Sequence, residues 1–495
     1  NPSVFNINSG TLTLGGGGIL SSATTVVGGT TLQFNNGAFN INSLATITGN
    51  GNFVVSGGNV TSNILLGLSS SASILISAGT LTLATASSLA PPVTVQGGTL
   101  ALNTPTTFNN LVLVNGGSIN CNAPVTLSST SGLSMSLGTI NINSGTGTFS
   151  IPSTLTTTIS GGTVSISSGQ IFSVAGIMNM SGGTINGVGT YSQSNIINMT
   201  GGTFNGNGIT NIIAPGFLNV NGTVSISRTL NTTSFNWISG NISLSKEMTI
   251  STTMTVGANG TMSGNGPLIS PIITKTGTTN TTINSELIIG AGGVSISAGT
   301  FVFGANSTIS GNLSIHLNAK AGITNGEIVD VQTLTLGGNG AIAGSWGSNS
   351  SSANNKNDTY FNLGITGIVQ VTTNTCIPPV AGINAGTTLL SCAINSITLN
   401  AIGNGFYLWD NGSTSASRII NSTGTYTITL TSNGCGTSVS SIIITQDTIT
   451  PSVVNIASSF IKNCITNPNG TIIGELPESG FTYSWNPSSG LSNPN

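Results

Sequence analysis

Short stretches of alternating apolar and polar residues recur along most of the chain. The commonest phrase is Gly-Gly followed by Thr or Asn and then two apolar residues with one residue between them. Copies are Gly97–Leu102 and Gly161–Ile166, with a looser one at Ser9–Leu14. Because side chains alternate along a strand, each apolar pair is predicted to face one side and the intervening Thr, Ser or Asn the other. Each phrase therefore predicts a short β-strand entered through a glycine corner.

The phrases repeat at a nearly constant interval. The glycines that mark it are Gly79, Gly98, Gly117, Gly138, Gly162, Gly183, Gly202, Gly222, Gly240 and Gly260. A repeat unit of about 20 residues holds two or three short strands and their corners, and one unit alone cannot bury its apolar row. Residues 1–372 are therefore predicted to form a parallel β-solenoid of about 18 turns, a rod about 85 Å long at about 4.8 Å per turn.

The pattern changes after residue 372. A Pro-containing stretch, 373–380, has the composition of a linker. Longer alternating strands follow it, and they predict an immunoglobulin-like β-sandwich at 381–448. Part of the same pattern returns at 449–495, which predicts the truncated start of a second sandwich repeat. The fold class expected for the whole chain is all-β.

Cysteines and tryptophans support the sandwich expectation. The order Cys392, Trp409, Cys435 suits an immunoglobulin-like domain in which a Trp packs on an intersheet disulfide. A Cys392–Cys435 bridge is the preferred pairing, with Cys376 as an alternative partner for either cysteine. Cys464 is left to pair outside the chain. Cys121 falls in phase with an inward isoleucine and is expected to be buried.

Charge is scarce, and this excludes several classes of protein. Lys and Arg number 7 and Asp and Glu number 9, so that 3% of residues are charged, against roughly 25% in ordinary domains. Ahead of Arg228, the first charged residue, the only ionisable side chains are Cys121 and Tyr191. Coiled coils, basic nucleic-acid binders and acidic tails all need charge. In a stacked solenoid Thr, Ser and Asn rows avoid facing like charges and are expected to form hydrogen bonds between turns.

The ionisable residues do not form a recognisable active site. Glu327 and Asp330 are the closest carboxylates of the solenoid, and their spacing on a strand predicts opposite directions for them. Lys246 and Glu247 are expected at an exposed corner, and His316, the only histidine, is expected to face solvent. We expect no enzyme activity, no cofactor and no metal site.

The region after the linker resembles the tandem repeats of large Bacteroidota surface proteins. The resemblance rests on the runs 406–414, 424–429 and 483–495 and covers roughly the part of the chain from 376 onward. Such proteins occur among gliding-motility and other adhesins exported by type IX secretion. The Gly-Gly-Thr-Leu phrases separately resemble autotransporter and filamentous-adhesin solenoids. The resemblance implies secretion, attachment to the outer surface through the secretion machinery, and a long protein of which this chain is a fragment.

A modification signal also follows from this resemblance. Asp447-Thr448-Ile449 is similar to the O-glycosylation motif of that phylum, and the sugar is expected on Thr448, in the linker between sandwiches.

The combined interpretation is an extracellular adhesin or structural stalk without catalytic activity. Its expected partners are a surface or polysaccharide ligand, or copies of itself. It is not expected to bind nucleic acid or to insert into a membrane. The first alternative is a self-assembling filament or sheath subunit. A further alternative is an ice- or polysaccharide-binding solenoid: Thr11/Thr13 and Thr80/Thr82 fit a regular hydroxyl lattice, but Asn, Ala and Gly interrupt that pattern elsewhere.

Overall fold

Most of the chain forms strands that stack in parallel, one turn upon the next. A computed structural model describes residues 4–145, 147–257, 259–376, 379–391, 393–432 and 436–447. Backbone contacts divide the chain into two units, Asn1–Thr375 and Cys376–Asn495. The first unit is a β-solenoid of about 17 turns spaced by about 20 residues. The all-β solenoid predicted from the sequence is confirmed.

Each turn contributes one strand segment to each of three sides. Strands confined to the first side are Val4–Ile7, Ala23–Val26, Thr46–Gly49, Leu66–Leu68, Ser87–Leu89, Thr106–Phe108, Val125–Leu127, Thr148–Ile151, Ile171–Val174, Thr190–Gln193, Ile209–Ile212 and Ile368–Val371. Strands confined to the second are Thr11–Gly15, Thr31–Asn36, Val93–Val95, Thr156–Ile159, Ile177–Met180, Ile197–Met199 and Leu218–Asn221. Strands confined to the third are Gly18–Leu20, Ala38–Ile41, Thr99–Leu102, Thr163–Ile166, Thr184–Gly187, Thr203–Phe204, Val224–Ile226, Ile242–Leu244, Gly260–Ser263, Asn280–Ile283, Gly299–Phe303 and Ala319–Ile323.

Longer strands bend around a corner and serve two sides. Four run from the second side to the third, namely Asn52–Ser62, Ser73–Leu83, Leu111–Cys121 and Gly132–Ile142. Six run from the first side to the second, namely Thr229–Ser239, Met248–Val256, Leu268–Lys275, Leu287–Ile296, Ser307–Ile315 and Ile328–Leu336. Register shifts mark the corners, as between Val114 and Ser118. The extra corner residues let the backbone change direction while the pairing continues on both sides.

One continuous apolar core fills the solenoid. Inward residues such as Val164, Ile166 and Phe172 are 1% exposed or less. Glycine is required where the corners of successive turns meet. At Gly116 an added Cβ would lie 1.8 Å from the carbonyl oxygen of Gln96 in the preceding turn. The Gly-Gly phrase of the sequence is thus explained by close backbone approach as well as by turn geometry.

A segment that does not follow the repeat closes the last turn on all three sides. We call residues 339–367 the closing segment. Its strands are Asn339–Gly340, Gly344–Gly347 and Asn355–Lys356. The first pairs antiparallel with the end of Ile328–Leu336, and the second with Ile368–Val371. On the third side, Phe361 bridges to Ala321 of the strand Ala319–Ile323.

Aromatic side chains of the closing segment complete the core. Trp346, Tyr360 and Phe361 are at most 4% exposed and pack into the apolar cluster of the solenoid. The Trp346 indole Nε1 donates to the Ile342 carbonyl at 2.9 Å. At the other end of the solenoid the first described strands have a partner on one edge only, and Phe5 and Ile19 are exposed.

The second unit contains two small, mainly antiparallel sheets. One sheet consists of Gly382–Ala385, Ile397–Ile402 and Ser417–Ile420. The other consists of Leu389–Leu390, Gly436–Gln446, Gly424–Ser432 and Phe406–Trp409. Leu399, Trp409 and Ile428 form the centre of their shared core. The predicted second repeat at 449–495 lies outside the described residues.

Over the described part of the chain, no helix has the length and hydropathy that crossing a bilayer requires.

Candidate functional site

The ionisable groups that precede Arg228 in the chain lie inside the core. The Cys121 thiol is free and fully buried, as predicted, and burial raises its pKa to about 12. The Tyr191 side chain is also fully buried, and burial raises the pKa of its phenol. Its hydroxyl donates to Gln193 Oε1 at 2.6 Å. Neither group has access to a ligand in solution.

Two cations are buried, and no carboxylate of the described residues forms an ion pair with either. The Arg228 side chain is 0% exposed and donates from Nη2 to the carbonyls of Gly189 at 2.6 Å and Ile209 at 3.0 Å. Its Nε and Nη1 have no hydrogen-bond partner among the described residues. Removal from water lowers the pKa of this guanidinium to about 10. Lys275 is likewise 0% exposed, its Nζ donates to the Gly277 carbonyl, and burial lowers its pKa.

Alternation along the strand could have located both cations. Arg228 continues the inward phase of Val224 and Ile226, and Lys275 continues that of Ile273. Sequence reasoning missed them because charged residues are normally expected to face solvent.

Two carboxylates of the solenoid lie on the outer surface of the first side. Glu286 and Asp330 line a depression of about 300 Å³ together with Asn306, Thr308 and Gln370. Register places Glu286 two turns away from Asp330 and two residues along the strand direction. Their Cα atoms are therefore about 12 Å apart, at about 4.8 Å per turn and about 3.3 Å per residue. Both side chains line the same depression, whose lining residues include no other ionisable group.

The other candidate polar residues are dispersed: Glu327 is half-buried, and the rest are exposed. Glu327 lies in the turn before the strand Ile328–Leu336 and not in the strand itself. The prediction that Glu327 and Asp330 point in opposite directions rested on strand alternation, which does not apply to Glu327. Lys246 and Glu247 are exposed at a corner, as predicted. His316 is exposed, as predicted, with a ring nitrogen 3.3 Å from Ser295 Oγ. Within the described ranges, His, Cys, Asp and Glu do not form a group of three suited to a metal ion.

Stacked amides form hydrogen-bonded rows on the solenoid surface. On the second side Asn236, Asn219, Asn198 and Asn179 each belong to successive turns, and each Nδ2 donates to the preceding Oδ1 at 3.0, 2.9 and 2.9 Å. A second row on the third side joins Asn143, Asn122 and Asn103 at 2.7 Å. The expectation of hydrogen bonds between turns is therefore met by asparagine.

A row of hydroxyls on the third side behaves differently. We call it the hydroxyl row, and its residues are Thr80, Thr99, Ser118, Thr139, Thr163, Thr184, Thr203, Ser225, Ser243 and Ser263, each paired by register with the next. It runs over ten consecutive turns without interruption. The first position of the Thr-x-Thr pattern is therefore a hydroxyl in all ten turns, whereas Ala101, Asn120 and Asn141 interrupt its second position, as expected. Turn length varies, so the alignment emerges only when the register is known.

The cysteine and glycosylation candidates concern the second unit. The Cys392–Cys435 pairing and Thr448 both lie outside the described residues, as does Cys464. Cys376 is disulfide-bonded.

The chain matches no protein-family model, no curated protein and no solved structure.

Proposed function

We propose that this protein is an extracellular adhesin or structural stalk, in which the solenoid acts as a stiff rod. The observation that carries the proposal is the unbroken three-sided ladder over about 17 turns. Pulling one turn away from the next along the axis requires the backbone hydrogen bonds of three sides to break together. A low density of surface charge also makes the ladder insensitive to salt.

The closing segment favours separate rods over the filament alternative. Stacking one solenoid on the next needs free parallel edges at both ends. Antiparallel strands and the Phe361 bridge already occupy the edges of the last turn. A head-to-tail filament would have to displace Trp346 and Tyr360 from the core first.

We also propose that the second unit is an immunoglobulin-like module, as part of the same display. Its two sheets enclose Trp409, whose Nε1 donates to the Ser415 carbonyl at 2.9 Å. The Tyr426 hydroxyl donates to the Ser422 carbonyl, four residues upstream, at 2.8 Å. A tyrosine that bonds back to the upstream backbone in this way is a feature of such sandwiches. Attachment to a bacterial surface by type IX secretion, the cysteine pairing Cys392–Cys435 and a sugar on Thr448 remain part of this proposal, supported by the sequence resemblance.

Electron microscopy of the protein released from its cell surface tests the proposal. We expect separate rods about 80 Å long, from about 17 turns of about 4.8 Å each. Labelling of intact cells with an antibody to the solenoid should decorate the outer surface. Continuous fibres with a regular axial repeat, or absence of the protein from the outer surface, would overturn the proposal. Fibres would favour the filament alternative.

A further inference from the structure

The hydroxyl row is one line of a two-dimensional array. Its members repeat at about 4.8 Å along the solenoid, so ten turns span about 43 Å. A second outward row lies two residues further along each strand, about 6.6 Å away. In six of these turns it contains, in order, Thr82, Ala101, Asn120, Asn141, Ser165 and Asn186. The third side thus presents small polar groups at fixed intervals in two directions.

The threonine hydroxyls of this array are not used by the protein. Thr80, Thr99, Thr139, Thr163, Thr184 and Thr203 are all half-buried. None of their hydroxyls is hydrogen-bonded to another described residue, in contrast to the asparagine rows, whose amides bind one another. β-branched side chains held between neighbouring turns have little rotamer freedom. Each hydroxyl and each methyl group is therefore fixed in place and available to an external partner.

The side chains of the array indicate which class of partner it can bind. The outward residues of both rows include no charged, aromatic or large aliphatic side chain. A charged polymer finds no counter-charge here, and sugar rings find no aromatic surface for stacking. Ice needs neither a counter-charge nor an aromatic surface, because the surface of an ice crystal is a regular array of hydrogen-bond donors and acceptors. The fixed intervals of about 4.8 and 6.6 Å give the third side a two-dimensional regularity of the same kind.

We propose that the third side of the solenoid, along the hydroxyl row, binds the surface of ice crystals. The fixed hydroxyls bond to water molecules that belong to the ice lattice, and the methyl groups lie in the spaces between those molecules. This inference does not rest on the proposed stalk function, because a freely secreted solenoid with the same face would bind ice equally well.

Partition into slowly growing ice tests the inference with the purified full chain. We expect the wild-type protein to be incorporated into the ice and to shape small crystals into facets in supercooled solution. Thr163→Lys places a long charged side chain in the hydroxyl row and should abolish incorporation. Thr158→Lys is the matched control, since it lies in the same turn but points outward from the second side. It should leave incorporation unchanged.

Three outcomes would overturn the inference. The first is exclusion of the wild-type protein from ice to the same extent as a non-binding protein. Equal behaviour of the two lysine variants, with circular dichroism spectra like that of the wild type, is the second. The third is dissociation of a wild-type oligomer by Thr163→Lys without any ice binding, which would assign this face to a second copy of the chain. None of these outcomes bears on surface labelling or rod length, so failure here is distinguishable from failure of the stalk proposal.

Discussion

The asparagine row of the second side allows a sharp test of what holds neighbouring turns together. Asn198 donates to Asn179 and accepts from Asn219, both at 2.9 Å. Asn198→Asp keeps the shape and the acceptor but removes the donor. The new carboxylate then faces the Asn179 amide oxygen with no proton between them.

The magnitude follows from two contributions. Loss of one hydrogen bond costs about 1 kcal/mol, and two acceptors brought together in a partly buried place cost about 1 kcal/mol or more. The total, about 2 kcal/mol, corresponds to a fall of about 30-fold in the protection of nearby amides. Each turn contacts only its neighbours, so the loss should be confined to the adjoining turns.

Hydrogen exchange followed by mass spectrometry, peptide by peptide, provides the measurement. The matched control is Asn186→Asp on the third side, where the side chain is half-buried but makes no hydrogen bond to another described residue. The control should lose little protection. The protonated carboxyl can donate to Asn179, so the folded-state pKa of the new group is raised above its usual value of about 3.9. The loss should therefore be present at pH 7 and disappear below about pH 3. Equal losses in both variants, or a loss that persists at pH 3, would refute the reasoning.

Two further predictions concern the solenoid core. Arg228→Met should raise the thermal midpoint measured by calorimetry, because replacing a buried, incompletely paired charge with an apolar side chain of similar length commonly stabilises a protein by about 1 to 4 kcal/mol. Arg228→Ala should raise the midpoint less, since it leaves a void. An unchanged or lower midpoint for Arg228→Met would contradict this. Cys121, whose thiol pKa is raised to about 12 by burial, should resist maleimide labelling at pH 8 in the native chain and react fully in denaturant. The label is read from the mass of the tryptic fragment 1–228, in which Cys121 is the only cysteine. Rapid labelling of the native chain would show that these turns open readily.

Strand phase was predictable because it follows from local alternation. Val164 and Ile166 point inward as their spacing predicts. The same rule pointed Arg228 inward, and only the general preference of charge for water argued against it. In a ladder, the register of neighbouring turns holds a residue in phase even when its chemistry would favour the other side.

Features that join distant turns were less predictable. The hydroxyl row requires Thr203 to align with Ser225. The sequence separation of such partners is not constant, since it is much shorter between Asn219 and Asn236 than between Leu133 and Thr157. Rows cannot be aligned across such variation without the hydrogen-bond register. The closing segment has no repeat to reveal it, and its three buried aromatic residues are recognisable only once the edges they cover are known.

Pairing of each turn with its immediate neighbours also affects how such a chain changes over generations. Gain or loss of about 20 residues adds or removes one turn, about 4.8 Å along the axis. The turns on either side then pack against a neighbour of the same kind as before. A stretch of half that length would instead bring corner glycines such as Gly116 opposite bulky side chains. The length of the solenoid is therefore expected to vary among descendants by whole turns, because recombination can add or remove a turn while the contacts between turns stay of the same kind.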